Sequence, residues 1–279
     1  MLKQRVLTAL LLLPLALAAI FILPAQWFLI LSAIILLGGS REYSRLADLS
    51  GQAAGSAVIF LQAVIFAMLY LLRDQWNDGI LLVLVASCAV WLLMFIRLPL
   101  YRPGTPVDRA YRTVSFATAI ASITTAWFAL NWIRSQPEGS WLILLLLLIV
   151  WSADTGAYFT GHMFGKSKLA PHISPSKTQI GLLGGLIAAP LVALLASDLM
   201  PINHLEPTRL ILLALVTALV SVGGDLLISL HKRISGCKDS GNLLPGHGGI
   251  LDRLDSLLAA APFFALGLLL VGTSEGIGH

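Results

Sequence analysis

Side chains that could do chemistry are concentrated in one segment near the end of this chain. Residues 229–256 read SLHKRISGCKDSGNLLPGHGGILDRLDS, whereas the chain as a whole is only 11% charged. The charged or metal-binding residues of interest in this segment are Lys232, Arg233, Lys238, Asp239, His247, Asp252, Arg253 and Asp255. A segment this polar in a chain this apolar indicates a functional site.

The acidic residues of the segment are spaced for metal binding. Asp252 and Asp255 are three positions apart, so on a helix they share one face. Asp225 ends a preceding apolar stretch, which allows all three carboxylates to meet at one depth. Hard cations such as Mg²⁺ bind oxygen ligands, commonly one or two carboxylates together with substrate phosphates. The pattern favours a metal site. The alternative is that an aspartate only pairs with a basic residue of a neighbouring helix.

Basic residues and glycines around these aspartates suit a phosphate ligand. The cations Lys177, Lys232, Arg233 and Lys238 can donate charge-assisted hydrogen bonds to phosphate oxygens. Residues 245–249, PGHGG, form a backbone that can approach a ligand and leads into a helix N-terminus, where anions are favoured. Alone, a Lys-Arg pair, a glycine cluster or a single histidine is more often structural. Together they indicate phosphoryl or nucleotide chemistry, and the absence of GxxxxGK[ST] disfavours a P-loop ATPase.

The rest of the chain has the composition of a membrane protein. Of its 279 residues 57% are hydrophobic, and the mean hydropathy is +0.87. A soluble domain is typically about 45–50% apolar and about 25% charged. Helices that face lipid explain both departures, because hydrocarbon satisfies no polar side chain. The two cysteines, Cys88 and Cys237, form neither a disulfide framework nor a metal-binding spacing.

Apolar stretches predict an all-α polytopic membrane protein with nine spans, since each is long enough, or nearly so, to cross a bilayer at about 20 residues. They lie at 6–23, 25–40, 53–72, 79–97, 114–133, 141–161, 180–199, 209–229 and 256–273. The short second span is expected to continue as a helix through Arg41, Glu42 and Tyr43. The first is similar to a signal peptide, but its apolar run continues to Leu23 and a second span follows at once. We therefore expect it to be retained.

Basic residues predict the orientation in the membrane. With nine spans, fifteen of the eighteen Lys and Arg residues fall on the side of the N-terminus and three on the other. The N-terminus is therefore predicted to lie in the cytoplasm and the C-terminus outside. The loops at 161–178 and 230–252 would both face the cytoplasm. The same bias explains the net charge of +4 without a nucleic-acid partner.

Two aspartates interrupt apolar spans. Asp154 lies in span 6 and Asp225 in the last two turns of span 8. A carboxylate in a span costs about 2.5–3.5 kcal/mol on insertion scales, so it usually has a partner or a water-filled cavity. Either a functional site or a simple ion pair with a neighbouring helix accounts for both. Gly161 and Gly165 form GxxxG, which in a membrane helix favours helix packing over ligand binding.

Taken together, the polar residues resemble the motifs of a known family, the phosphatidate cytidylyltransferases or CDP-diacylglycerol synthases. The family signature is matched by Ser229-x-x-Lys232-Arg233-x4-Lys238-Asp239-x-Gly241-x-x-Leu244-Pro245-x-His247-Gly248-Gly249-x-x-Asp252-Arg253-x-Asp255. A second region of the family is similar to Trp151-x-Ala153-Asp154-x-x-Ala157-Tyr158-x-x-Gly161-x-x-Phe164-Gly165-Lys166 and Ser174-Pro175-x-Lys177-Thr178, and Gly224-Asp225 resembles the lead-in to the signature.

The good matches cover residues 151–262, whereas the first half is similar to the family only in being a set of spans. The chain accordingly divides into N-terminal spans at 1–140 and a catalytic membrane region at 141–279. Two positions depart from the family pattern. Ile180 stands where an acidic or amide residue is common, and Ile228 where glutamate is common. Neither departure removes a carboxylate of the expected metal cluster.

The resemblance implies transfer of CMP from CTP to phosphatidic acid, giving CDP-diacylglycerol and pyrophosphate, with Mg²⁺ and room for a second cation. It also implies phospholipid biosynthesis in the bacterial inner membrane, with a homodimer left open. The implied catalytic residues are Asp225, Asp252 and Asp255, all three as metal ligands, and Lys232, Lys238, Asp239 and His247. The implied substrate-binding residues are Ser174, Lys177, Thr178, Ser229, Arg233, Gly248, Gly249, Arg253 and Asp154.

Two alternatives remain open from the sequence. In a secondary transporter, Asp154 and Asp225 would bind a coupling ion in broken helices. Against it, the polar residues cluster at one face of the membrane, and an odd number of spans gives no obvious inverted repeat. A CTP-dependent lipid or polyprenol kinase would share both the nucleotide and a membrane substrate, but would move only the γ-phosphate.

Overall fold

The computed structural model describes residues 2–49, 51–73, 79–202, 205–243 and 248–273, which are predominantly helical. The helices are α1 (Leu2–Phe21), α2 (Ala25–Leu46), α3 (Gln52–Leu71), α4 (Ile80–Phe95), α5 (Arg97–Leu100), α6 (Arg109–Ser135), α7 (Gly139–Phe164), α8 (Gln179–Leu199), α9 (Pro207–Ile234) and α10 (Leu251–Thr273). Two short strands, β1 (Lys168–Ala170) and β2 (Ser174–Thr178), lie between α7 and α8.

The helices have the length and composition of membrane spans. Among the described residues, seven stretches are long and apolar enough to cross a membrane, and a shorter apolar helix covers Leu10–Phe21. The predicted class, an all-α polytopic membrane protein, is thereby confirmed. Each of the nine predicted spans overlaps a helix. That all nine cross the membrane, with the termini on opposite sides, stays a prediction.

Several helices extend beyond the predicted apolar spans. Helix α6 begins at Arg109 because Asp108 caps it, accepting a hydrogen bond from the backbone N–H of Tyr111 at 2.8 Å. Helix α9 continues to Ile234 and α10 begins at Leu251, so the polar residues at both ends are largely helical. Helix α2 runs to Leu46, which confirms the predicted continuation past the apolar stretch. Hydropathy marks where a helix meets lipid, not where its hydrogen bonds end.

The strands form a small antiparallel hairpin that was not predicted. Lys168 pairs with Thr178, and Ala170 pairs with Ser174. The turn between the strands carries the buried Ile173, which packs on the α9 residues Leu226 and Leu230, among others. The hairpin is therefore fixed on the polar end of α9 by apolar contacts, and the segment between α7 and α8 is ordered.

Small residues bring α7 and α8 into close contact. An added Cβ at Gly156 would lie 2.6 Å from the Ala188 side chain, and one at Gly165 would lie 2.6 Å from the side chain of Thr178. A Cβ at Gly184 would overlap the Thr160 side chain. Close backbone approach through small residues is a common mode of helix association in membranes. Gly161 and Gly165 of the GxxxG sequence take part in this close packing, and both also line a polar cavity described below.

Two apolar clusters hold the helices together. The larger one is centred on α7 and includes the fully buried Leu145 and Ile149 together with Phe264 of α10. The second joins α2, α3, α4, α6, α9 and α10, with Trp91 and Ile123 fully buried. Both clusters contain residues of α10, so the helix that carries Asp252 and Asp255 is held by the core along most of its length.

Candidate active site

Helices α9 and α10 cross at a glycine beside the predicted aspartates. A Cβ added at Gly224 would lie 2.6 Å from the backbone oxygen of Asp255 and 2.8 Å from the Ala259 side chain. Only glycine permits this approach. The crossing places Asp225 of α9 close enough to Asp255 of α10 for their charges to interact, and Asp154 of α7 also interacts with Asp225. Three carboxylates from three helices thus lie in one region. The sequence had predicted this for Asp225 and Asp255, but not for Asp154.

The hairpin supplies a cation to this region. The Lys177 ammonium nitrogen Nζ lies 2.6 Å from Oδ2 of Asp225. The Ser229 hydroxyl, one turn further along α9, donates to Oδ1 of Asp225 at 3.1 Å. Both side chains of the ion pair are three-quarters or more buried. Lys177, Ser229 and Asp225 are therefore brought together. Asp225 has a basic partner, as the simpler interpretation expected, but the partner comes from β2 and not from a neighbouring helix.

A second ion pair lies at the start of α10. Lys232 Nζ is 2.8 Å from Oδ1 of Asp252, and the Asp252 side chain is only 8% exposed. The other carboxylate oxygen, Oδ2, accepts hydrogen bonds from the backbone N–H groups of Ser240 and Gly249, each at 2.9 Å. Asp252 therefore has two roles in the structure: it pairs with a lysine of α9, and it ties together the two ends of the polar segment.

The two glycines before α10 leave room for the carboxylates of Asp252 and Glu42. Gly248 has φ +78°, a left-handed conformation that favours glycine. A Cβ there would lie 2.8 Å from Oδ2 of Asp252, and one at Gly249 would overlap the side chains of Glu42 and Ser240. The predicted role of these glycines in approaching a ligand stays a prediction. His247 lies outside the described residues, as do residues 244–246.

The remaining predicted residues lie at the edge of this cluster. Arg233 donates from Nε to the backbone oxygen of Ile173 at 3.0 Å, which ties α9 to the hairpin. Lys238, Asp239 and Arg253 are exposed. Their predicted contacts with phosphates remain untested.

Ser174 and Thr178 stand at the two ends of β2. Ser174 is partly buried. The hydroxyl of Thr178 accepts from the backbone N–H of Gly181 at 3.1 Å and caps α8. The observed contact of Thr178 is thus structural, because a capping oxygen satisfies one of the free N–H groups at a helix start. Binding of a substrate by Thr178 stays a prediction.

A polar cavity opens beside the Lys177–Asp225 pair. Its volume is about 500 Å³, within the range of cofactor and ligand sites. The polar side chains that line it are Asp154, Tyr158, His162, Lys168, Ser176, Lys177, Thr178 and Asp225. Glycines of α7 and α8 complete the wall. The mixture of lysines, hydroxyls and carboxylates around one cavity suits a phosphorylated ligand.

An apolar cavity adjoins the polar one. Its volume is about 400 Å³, and its wall is formed mainly by apolar side chains of α1, α2, α6, α7 and α10. The charged residues at one end of it are Asp154, Asp252, Arg253 and Asp255. Asp154 lines both cavities. A ligand with a phosphate head and apolar chains could therefore place its head near Asp154 and its chains among these helices.

The carboxylates at this site are the type of ligand that a hard cation binds, but those described are not arranged around a common metal position. Among the described residues, no three Asp, Glu, His or Cys side chains are arranged to hold a metal ion, and each of two aspartates is paired with a lysine instead. Carboxylate oxygens are nevertheless the ligands that Mg²⁺ prefers. Asp225 and Asp255 are like charges held close together, which a cation would stabilise. The three-aspartate metal site stays a prediction, and the lysine ammonium groups supply positive charge in the structure.

Two buried polar groups near the site were missed by the sequence analysis. Glu42 of α2 is 1% exposed and contacts the polar segment before α10. His231 of α9 is fully buried between Tyr43 and Arg97. Because the carbonyl oxygen of Leu227 only accepts, the 2.8 Å contact to it requires the proton on Nδ1 of His231. Nε2 then accepts from the Arg97 guanidinium at 3.0 Å.

One signal in the sequence could have identified Glu42, although not His231. Glu42 and Tyr43 follow an apolar stretch without a break in helical sequence, so polar side chains were to be expected on the inner face of α2. Their partners lie about two hundred positions away, and a single sequence gives no indication of such pairings.

The fold and the site define a class: polytopic membrane proteins in which a polar cavity suited to a phosphorylated ligand adjoins an apolar cavity. Comparison with known proteins is more specific. The sequence profile of the Cytidylyltransferase family matches residues 3–271, and the chain belongs to this family.

Bacterial relatives match nearly the whole chain. A phosphatidate cytidylyltransferase of Pseudomonas aeruginosa is 41% identical over 265 residues, which cover 95% of this chain and 96% of the relative. One of Haemophilus influenzae is 36% identical over 281 residues, covering 95% of this chain and 98% of the relative. The resemblance inferred from the motifs is therefore confirmed, and it extends to the N-terminal half, where no motif had been found.

Proposed function

We propose that this protein is a phosphatidate cytidylyltransferase, transferring CMP from CTP to phosphatidic acid to give CDP-diacylglycerol and pyrophosphate. The observation that carries the proposal is the junction of the two cavities at Asp154. One substrate of this reaction is a nucleotide and the other is a lipid, and the reacting phosphates must meet. A polar and an apolar cavity that share one wall provide for both.

The nucleotide belongs to the polar cavity. Lys177 and Lys168 line it and offer cationic donors for phosphate oxygens, with the Ser176 hydroxyl beside them. Among the described residues, Lys177 forms an ion pair only with Asp225. Because an ammonium group has three N–H donors, a phosphate can also bind it. The hairpin thus acts as the part of the protein that carries the nucleotide-binding lysines.

The lipid belongs to the apolar cavity. Its side chains come from Phe28 and Leu36 of α2, Ile143 of α7 and Leu258 of α10, among others. Acyl chains in such a site lose no hydrogen bonds, whereas a polar ligand would. The end formed by Asp154, Asp252 and Asp255 is where the lipid phosphate would lie. Carboxylates repel a bare phosphate, so cations are required there.

The chemistry needs positioning and charge stabilisation. A lipid phosphate oxygen forms a bond to the α-phosphorus of CTP while the bond from that phosphorus to the bridging oxygen of the β-phosphate breaks. Pyrophosphate leaves with the bonding electrons. No general base is needed, because a lipid phosphate is largely ionised at pH 7. Lys177 lines the polar cavity, and Lys232 pairs with Asp252, which lines the apolar one, so we expect both to neutralise charge on the phosphates. Preorganised charges of this kind are usually the largest catalytic contribution.

We assign Asp225, Asp252 and Asp255 as the residues that would hold Mg²⁺, with a second cation also accommodated. When bound, Mg²⁺ supplies positive charge to the transferring phosphorus and to the leaving pyrophosphate. Lys177 and Lys232, which pair with Asp225 and Asp252 in the structure, would donate to phosphate oxygens. The carboxylates therefore hold the lysines in place before substrate binds.

Labelled CTP tests the proposed reaction directly. Purified protein with phosphatidic acid and Mg²⁺ is expected to move label from the α-phosphate of CTP into lipid and to release pyrophosphate. A kinase would move only the γ-label, and a transporter neither. ATP is expected to be a poor substrate, because a site that hydrogen-bonds the cytosine edge rejects a base without that edge. The family resemblance implies that dCTP is also used. Equal turnover with ATP would exclude a cytidylyltransferase.

The location proposed for the site is the cytoplasmic face of the bacterial inner membrane, where CTP is present. A reporter enzyme that works only outside the cytoplasm is expected to be active when fused after His279 and inactive when fused at Gly236. The physical reason is the fifteen-to-three distribution of basic residues. The reverse activities would place the polar segment on the side without CTP and contradict the orientation. Light scattering of the purified protein would determine whether it is a monomer or a homodimer, which the sequence left open.

A further inference from the structure

Glu42 makes an unusual set of contacts for a residue so far from the signature. It lies on α2, about two hundred positions before the polar segment, and its side chain is 1% exposed. Oε1 accepts from the backbone N–H of Ile250 at 3.0 Å. Oε2 accepts from the backbone N–H of Leu251 at 2.8 Å and from the hydroxyl of Ser240 at 2.9 Å. Ser240 and Ile250 belong to the segment between α9 and α10, and Leu251 is the first residue of α10.

These contacts cap α10 from another helix. The first N–H groups of a helix have no partner within it, and here a carboxylate of α2 satisfies two of them. Asp252 accepts from the N–H of Gly249, just before the helix, and from the N–H of Ser240. Three successive N–H groups, from Gly249 to Leu251, are thus bound by two carboxylates. Ser240 is held by the same two, through its N–H and its hydroxyl.

The surrounding residues fit this arrangement closely. An added Cβ at Gly249 or Gly241 would overlap the Glu42 carboxylate, and one at Gly38 of α2 would lie 2.7 Å from Ile250. Among the described residues, no basic side chain forms an ion pair with Glu42. Its charge is therefore stabilised by the N–H groups of the segment and by the positive end of the α10 dipole. The hydrogen bonds of Glu42 therefore stabilise the segment before α10 and the start of that helix.

We infer that Glu42 is a positioning residue for the transfer reaction: through Ser240, Ile250 and Leu251 it fixes the segment whose N–H groups orient Asp252. This inference rests on the proposed function. Glu42 does not line either cavity, so it acts through Asp252 and not on substrate. The Asp252 carboxylate meets Lys232, and its placement sets that of the lysine.

Glu42→Gln is the decisive variant. It keeps the size of the side chain but replaces one acceptor oxygen by an NH2 group, which in either orientation faces a backbone N–H. We expect the turnover number to fall by about tenfold or more, since small misplacements of reacting groups have large effects on rate. The KM for phosphatidic acid is expected to stay near that of the unmodified protein. The backbone amides of residues 240–243 and 248–251 should exchange hydrogen faster, with exchange in the rest of the helices unchanged.

Asp48→Asn is the matched control. Asp48 follows the end of the same helix, but its carboxylate pairs with Arg112 of α6 at 2.6 Å and does not touch the polar segment. Its left-handed backbone, φ 57°, also suits asparagine. Asp48→Asn is expected to leave unchanged both the turnover number and the amide exchange of residues 240–243 and 248–251.

A double variant tests whether Glu42 acts through Asp252. In an Asp252→Asn background, Glu42→Gln should add less than about threefold to the loss, because residues of one network are not additive. Full additivity would overturn the inference, as would normal turnover in Glu42→Gln or a loss of amide protection spread over the whole protein. If Glu42→Gln does not fold, Ser240→Ala decides: reduced turnover with faster local exchange supports the inference, and normal turnover overturns it.

Failure of the proposed function gives a different result. The unmodified protein would then release no pyrophosphate from CTP and phosphatidic acid, while the effect of Glu42→Gln on amide exchange would be the same.

Discussion

Asp252→Asn is expected to lower Mg²⁺-dependent turnover by about 10²-fold or more, the effect of losing a preorganised electrostatic contact of roughly 3 kcal/mol. The structure explains why this variant should fold. The single carbonyl oxygen of asparagine can still accept from the N–H groups of Ser240 and Gly249, as Oδ2 does now. What is lost is the negative charge that faces Lys232 at 2.8 Å. Steady-state kinetics with CTP and phosphatidic acid provide the measurement.

Asp198→Asn is the control for a general effect of removing a carboxylate. Asp198 is exposed near the end of α8 opposite the hairpin, about 30 Å along the helix from its first residue. Its replacement should leave turnover unchanged. If Asp252 served only as half of a structural ion pair, Asp252→Asn would instead fold poorly, with the surviving protein active. A well-folded Asp252→Asn protein with near-normal turnover would rule out any part in catalysis.

Much of the site could be predicted because its residues are close in sequence. Asp252 and Asp255 are separated by one helical turn, and Lys232 lies near the end of the preceding helix, so a short connection brings them together. The spacing of polar residues in an apolar chain was therefore informative by itself. The nine apolar stretches were equally clear, since lipid imposes a minimum helix length of about 20 residues.

Contacts over long distances in sequence could not be predicted. The hairpin depends on Ile173 packing against α9, and nothing in the segment itself distinguishes it from an open loop. Glu42 binds Ile250 through backbone N–H groups, which have no sequence signature. The role of Gly224 is set by the crossing of α9 and α10. In each case the physical cause is the packing of another helix.

Lysine pairing is the feature that the sequence analysis described least well. Lys177 and Lys232 were predicted to bind phosphates, and Asp225 and Asp252 to bind metal. The structure pairs them with each other. Both descriptions agree with electrostatics, because a lysine ammonium group is a suitable partner for a carboxylate when no substrate phosphate is present. In the proposed reaction, each ion pair keeps its lysine and its aspartate in position until the substrate phosphates bind.

Asp225→Asn separates these two descriptions of the Lys177–Asp225 pair. If Asp225 contributes its charge to the reaction, turnover should fall by about 10²-fold. The protein should be expressed and folded at least as well as before, because a neutral side chain is less costly in a span and the repulsion from Asp255 is relieved. Lys177→Ala should act differently, raising the KM for CTP by about tenfold through the loss of one charged contact. Kinetics at varied CTP distinguish the two effects.

A purely structural ion pair predicts another outcome. Removing either partner would then leave an unpaired buried charge and destabilise the protein to a similar extent. Melting temperatures of the two variants, measured beside those of Ser229→Ala, distinguish the cases. Ser229→Ala deletes only the hydroxyl that donates to Asp225 at 3.1 Å, so it should have the smallest effect on turnover. If Asp225→Asn and Lys177→Ala lower stability equally and leave the kinetics of folded protein unchanged, the pair has no role in the reaction.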